Sequence, residues 1–111
     1  MKKIIITGGA TRIGAAIANK LSGSGVEIVI HYNKSKSNAE KLKKKLSKNL
    51  TKVYLVKGDL SKEIDIKKIV KFCKKKLKYF DCLINNASLF ENDQLENFTT
   101  KSWDSHLRTN L

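Results

Sequence analysis

Eight residues near the start of the chain, Thr7-Gly8-Gly9-Ala10-Thr11-Arg12-Ile13-Gly14, follow directly on the run Ile4-Ile5-Ile6. A glycine turn between a strand and a helix lets main-chain N–H groups approach a pyrophosphate, and the helix start adds a favourable dipole. The last glycine permits close packing of helix on strand. No Gly-Lys-Ser/Thr follows, so the turn is not a P-loop.

A second cluster, His31-Tyr32-Asn33-Lys34-Ser35, stands roughly where NAD-binding folds carry an acidic residue, about 20 positions after the turn, to hold the ribose hydroxyls. No carboxylate is present there. Asp or Glu would repel a 2′-phosphate, whereas Lys34, Ser35, His31 and the nearby Arg12 offer a cation and hydrogen-bond donors. The cluster therefore favours NADP(H) over NAD(H) as cofactor, against the alternative of an ordinary polar loop after a strand.

The elements that position these residues follow from hydrophobic spacing. Lys3 to Thr7 reads as a buried strand; Ile13, Ile17 and Leu21 mark a helix closed by Ser22-Gly23; Val26 to Tyr32 reads as a second strand. A helix from about Asn38 to Lys48 follows, with Leu42, Leu46 and Leu50 stepping by four, and then a strand at Val53 to Val56. Ile66, Ile69, Val70, Cys73 and Leu77 form the stripe of a helix from about Ile64 to Lys78, and Phe80 to Asn85 reads as a fourth strand. A last helix starts near Thr99 or Thr100 and carries Trp103, Leu107 and Leu111 on one face. Strict alternation of strand and helix implies an α/β fold, a doubly wound parallel sheet of Rossmann type. Only the first four strands and their helices fit the sequence, and Leu111 lies inside the final helical pattern, so the chain reads as one domain over residues 1–111, truncated in its last helix.

Composition narrows the class. The 111 residues carry 23 basic and 10 acidic side chains, a net charge of +13, with 41% hydrophobic residues, enough for a globular core. Twenty-one of the basic residues are lysine, and twelve of these crowd into Lys41 to Lys48 and Lys67 to Lys78. Apolar residues at helical spacing run through both stretches, which makes the lysines the solvated faces of two amphipathic helices. With two arginines and scattered aromatics, a nucleic-acid partner is the weaker reading. No apolar run approaches the roughly 20 residues that span a bilayer, and Thr7-Gly8-Gly9 interrupts the N-terminal apolar run too early for a signal peptide. The expected location is cytoplasmic, with no membrane partner. Two cysteines, Cys73 and Cys82, and two histidines, in no ligand spacing, argue against a metal site or a disulfide framework.

These residues together resemble the short-chain dehydrogenase/reductases, and within them the pteridine reductase branch. The family's Thr-Gly-x-x-x-Gly-x-Gly turn becomes Thr-Gly-x-x-x-Arg-x-Gly in that branch, with Arg12 at the substituted position. His-Tyr, a polar residue, a base and Ser after the second strand is typical of the branch, and His31 to Ser35 is similar. Asn85-Asn86-Ala87-Ser88 resembles the family's Asn-Asn-Ala-Gly in the Ser-ending form. The resemblance implies an NADPH-dependent reductase that delivers hydride to a C=O or C=N bond of a small substrate, a pterin or another carbonyl or imine compound, and whose full-length parent forms a homotetramer.

It also implies roles. Thr7, Gly8, Arg12, Ile13 and Gly14 would bind the pyrophosphate side of the cofactor, and His31, Tyr32, Asn33, Lys34 and Ser35 would surround the 2′-phosphate. Asp59 and Leu60 would lie by the adenine; Asn86, Ala87 and Ser88 would run beside the cofactor. Arg12, Ser88 and Phe90 would face the substrate, with Phe90 stacking on a flat ring, although Glu91-Asn92-Asp93 departs from the branch. Asn110, on the inward face three residues after Leu107, would be the catalytic asparagine that organises a proton relay. The family's Tyr-x-x-x-Lys proton-donor pair is not matched: Tyr32 and Lys36 have the spacing but lie in the phosphate region. The chain is accordingly expected to be an inactive fragment of a reductase. A non-catalytic NADP(H)-binding module and, less readily, a basic nucleic-acid-binding domain are the alternatives.

Overall fold

The computed structural model describes residues 2–87, and these form seven elements in strict alternation: β1 (Lys2–Thr7), α1 (Arg12–Leu21), β2 (Val26–Tyr32), α2 (Lys36–Ser47), β3 (Lys52–Lys57), α3 (Glu63–Leu77) and β4 (Cys82–Asn85). The α/β class and the parallel, doubly wound arrangement expected from the sequence are what the chain forms. All strand pairs are parallel, in the order β3-β2-β1-β4. The central strands β1 and β2 are covered on both faces, so buried apolar residues run through Ile4–Ile6 and Ile28–Ile30 instead of alternating with polar ones.

Strand parity decides which helix each side chain meets. Ile4, Ile6, Ile28 and Ile30 face α1 and α2, where they pack with Ala18, Ala39, Leu42 and Leu46. Ile5 and Val29 point the other way, onto Ile66, Ile69, Val70, Cys73 and Leu77 of α3. A right-handed crossover from β1 to β2 to β3 keeps α1 and α2 on one face; the return from β3 to β4 then puts α3 on the other. At the opposite end of the sheet from the glycine turn, the Lys3 ammonium donates to the Leu77 carbonyl at 2.7 Å, and Lys3 and Asp81 exchange two further bonds at 2.7 Å, anchoring the entry to β4.

Two apolar positions depart from the spacing argument. Ile13 is 68% exposed, and the face of α1 that meets the sheet is centred on buried Gly14 and Ala18, with Ile17 and Leu21 partly buried beside them. Small side chains there bring the helix close to the strands, so the bulky residue at the same helical spacing turns outward. Leu50 does not extend the Leu42–Leu46 stripe: α2 ends at Ser47, and Leu50 is 72% exposed in a turn, with φ of +69°. The expected last helix lies outside the described residues.

Both cysteines are free; Cys73 is buried under α3 and Cys82 is exposed at the start of β4. Burial pushes the Cys73 thiol up to about 12, leaving almost no thiolate at neutral pH. In a native titration with a thiol reagent, one cysteine per chain should react quickly and the second only after unfolding. Rapid modification of both under native conditions would show that α3 does not pack as described.

Candidate functional site

The carboxyl ends of all four strands meet around a cleft of about 350 Å³. Gly8 and the residues after it, Ala10 and Thr11, form one wall; His31 through Ser35, leaving β2, form another; Asp59 and Leu60 follow β3, and Ala87 follows β4. The strand order reverses between β1 and β4, and open α/β sheets receive ligands in the crevice beyond such a switch point.

The wall at Gly8 depends on two glycines. Gly8 has φ of +61°, and a Cβ on it would meet the Ala87 Cα at 2.8 Å. Gly14, in the first turn of α1, lies against the turn itself: a Cβ would press into the Gly8 carbonyl oxygen and come within 2.7 Å of both the Gly9 Cα and the Asn86 side-chain nitrogen. Between them Arg12 adopts φ of +50°, a conformation that costs a residue bearing a Cβ roughly 1–2 kcal/mol and glycine almost nothing. The arginine thus keeps the backbone of the glycine whose place it takes in the resembled motif.

Polar groups behind the cleft hold the turn in place. The His31 ring accepts from the Gly8 N–H through Nδ1 at 3.0 Å, so Nε2 carries the proton and donates to the Gly58 carbonyl at 2.7 Å. The His31 carbonyl takes the Gly9 N–H at 3.0 Å. The Thr7 hydroxyl, fully buried, donates to Asn85 Oδ1 at 2.8 Å and accepts the Ala87 N–H at 3.1 Å; the Asn86 amide donates to the Gly8 carbonyl at 3.2 Å. β1, β2, β3 and the segment after β4 are therefore joined through side chains at the cleft.

This corrects one expectation and sharpens others. His31 lines the cleft, but its ring is 2% exposed, bonded at both nitrogens and, through burial, held below the ordinary histidine pKa; it supplies no cation. The signal lay in its place inside β2, a strand buried on both faces. Asn33 and Lys34 are exposed at the rim, with Tyr32 and Ser35 half-buried beside them. Arg12 does not line this cleft: it lines a separate groove between α1 and α2. Thr7, Gly14 and Asn86 stand behind the cleft instead of lining it. Ser88, Phe90 and Asn110 lie outside the described residues.

Asp59, the remaining charge at the cleft, accepts from the Ser61 hydroxyl at 2.7 Å and the Ser61 N–H at 2.9 Å. Those bonds, with weaker help from Lys62 and Lys34, hold its carboxyl below the usual range, so it is ionised. Its own N–H donates to Asp65 of α3 at 2.8 Å, which fixes the loop after β3. An ionised carboxylate, an exposed lysine and a strapped glycine turn around one crevice suit a ligand that is anionic at one end and carries hydroxyls or ring nitrogens at the other.

A family model described as short chain dehydrogenase matches residues 2–111. The 3-oxoacyl-acyl-carrier-protein reductase FabG of Staphylococcus epidermidis is 26% identical over 110 residues, covering 99% of this chain and 45% of that protein. Among solved structures, a short-chain dehydrogenase from Oenococcus oeni superposes with a TM-score of 0.84 at 27% identity, over 99% of this chain and 56% of its own. FolM alternative dihydrofolate reductase 1 from Brucella canis, complexed with NADP, does so with a TM-score of 0.84 at 27% identity, over 99% of this chain and 50% of its own. The chain spans less than half the length of the curated relatives it matches.

Proposed function

The chain belongs to the short chain dehydrogenase family, and from that premise we propose that it forms the NADP(H)-binding half of a reductase acting on a C=O or C=N bond of a small substrate. The observation that carries this reading is the cleft itself: a glycine turn that tolerates no Cβ, at the switch point of the sheet, beside a β2 end where Lys34 stands and no carboxylate does. The residues fit the cofactor. Gly8 and Gly14 leave room for a pyrophosphate, and the main-chain N–H groups of Arg12 and Ile13, in the unpaired first turn of α1, would receive it. Tyr32, Asn33, Lys34 and Ser35 would surround the 2′-phosphate. Asp59 and Leu60 would meet the adenosine, while Asn86, Ala87 and Ser88 would run along the nicotinamide side. Thr7 and His31 act as positioning residues, through the turn they hold.

When bound, the dinucleotide supplies the hydride. Ser88 and Phe90 are proposed to face the substrate, and Asn110 to order the proton relay. The proton-donating Tyr-x-x-x-Lys pair is not provided here: Lys36, the only lysine four residues after a tyrosine, is at the start of α2, where it pairs with Glu40 at 4.0 Å. The 111 residues alone are therefore proposed to bind nucleotide without turnover, and the full-length parent to be a homotetramer. A pterin is the narrower substrate proposal. It is supported by the Arg12, His31-Tyr32 and Ser88 matches and by the likeness to FolM alternative dihydrofolate reductase 1.

Titration with NADPH and NADH tests the cofactor reading. Saturable binding that favours NADPH is expected, and Lys34→Glu should weaken NADPH by about tenfold, the worth of one charge-assisted contact, while leaving NADH nearly unchanged. An unaltered ratio would remove Lys34 from the phosphate pocket, and indifference to both nucleotides would sink the proposal.

A further inference from the structure

The face of the sheet covered by α1 and α2 carries a second hollow, a groove of about 540 Å³ between the two helices. It meets the dinucleotide cleft at Ala10 and Thr11 but has its own chemistry. Arg12, Lys41 and Lys45 line it together with the amides of Asn19 and Asn38, and no carboxylate does. Lys41 and Lys45 stand one helical turn apart, a like-charge spacing that weakens a helix unless an anion lies between. Glu40, the acidic neighbour, is taken by Lys36. Arg12 adds the second observation: it holds a left-handed backbone that glycine would adopt freely, and it is one of the residues that line this groove. A non-glycine residue kept in a disfavoured conformation points to a use for its side chain.

We propose that the α1–α2 groove is a second anion site that takes a small phosphate-rich ligand alongside the dinucleotide. Its volume falls within the roughly 300–1,000 Å³ of small-molecule sites, and its floor of Ala10, Ala15 and Leu42 offers little apolar surface for a protein segment. Three cations and two amides match the clustered oxygens of linked phosphates. The Asn19 amide already donates one hydrogen to the Ala15 carbonyl at 2.9 Å, which fixes its remaining polar atoms for a ligand.

Calorimetric titration of the 111-residue chain with tripolyphosphate, with and without saturating NADPH, tests the site. Saturable one-to-one binding is expected in both conditions; the arm without NADPH decides even if the dinucleotide does not bind. The double variant Lys41→Glu/Lys45→Glu should weaken tripolyphosphate at least tenfold and leave NADPH affinity within twofold. Lys67→Glu/Lys71→Glu, on α3 across the sheet, should change neither. Arg12→Gly should weaken tripolyphosphate while holding or raising the melting temperature, a combination that a merely structural arginine would not give. The proposal is overturned by an absence of saturable binding, by displacement with NADPH, or by equal losses in the α2 and α3 variants, which would mark a diffuse response to net charge.

Discussion

Gly14→Ala should lower the melting temperature by about 5–15 °C and abolish measurable dinucleotide binding. Two effects compete at this position. Alanine in place of glycine inside a helix gains about 1 kcal/mol of propensity. Against that, the new Cβ would press into the Gly8 carbonyl and lie 2.7 Å from the Gly9 Cα and the Asn86 amide. Two of those atoms are backbone of a turn already pinned by His31 and Asn86, so the neighbours cannot yield cheaply, and overpacking of this kind costs about 1–3 kcal/mol or more. Whatever relief occurs must come from moving α1 away from the turn, which spoils the surface the pyrophosphate would use. Thermal denaturation and NADPH titration of the variant decide the matter. An unchanged or raised melting temperature with retained binding would mean that α1 does not approach the turn so closely.

His31→Leu should be at least as damaging, and for a different reason. Leucine preserves the bulk but strands the half-buried Gly8 N–H at the cleft wall and the buried Gly58 carbonyl behind it. Leaving a buried polar group unpaired costs about 1–3 kcal/mol each, so a total loss of about 2–6 kcal/mol is expected. The wild-type ring also gives the fold a pH dependence with a definite sign. Burial lowers the folded-state pKa below the ordinary 6.5, so the unfolded chain binds the proton more readily. The histidine contribution is fully present above pH 6.5 and is lost as pH falls from there through the lower folded value. Protonation would put a hydrogen on Nδ1, where the Gly8 N–H already points, and the turn would lose its acceptor. Melting temperatures measured from pH 7.5 down to 5 should fall in the wild type more steeply than in His31→Leu. Parallel curves would show that the ring is not held neutral by this pair of bonds.

Much of the framework could be read from residue order, because alternation of β-branched runs with helical stripes is a local signal. Val26 to Tyr32 matches β2 to the residue, and the stripe from Ile66 to Leu77 is the buried face of α3. What escaped the reading depended on contacts distant in sequence. Ile13 has the right spacing for a core residue, yet at this end of α1 Gly14 takes the inner face, because the helix lies against the glycine turn, and Ile17 and Leu21 reach the core only farther along. Leu50 continues a stripe by number, but the helix has already ended. His31 reads as part of the polar cluster that runs to Ser35, yet it lies within β2, which is buried on both faces. Arg12 sits within the expected motif, but no spacing rule could show that it would line the α1–α2 groove instead of the cleft.

The bonds that seat the glycine turn join residues about 80 positions apart, Thr7 with Ala87 and Gly8 with Asn86. A ribosome adding roughly 5–20 residues per second needs some 4–16 s to travel from one partner to the other. Over that interval β1, β2 and β3 can associate, but the turn has only half of its supports. The binding crevice is therefore the last part of this region to mature during synthesis. A nascent chain arrested before β4 should carry most of the sheet while remaining unable to hold a nucleotide.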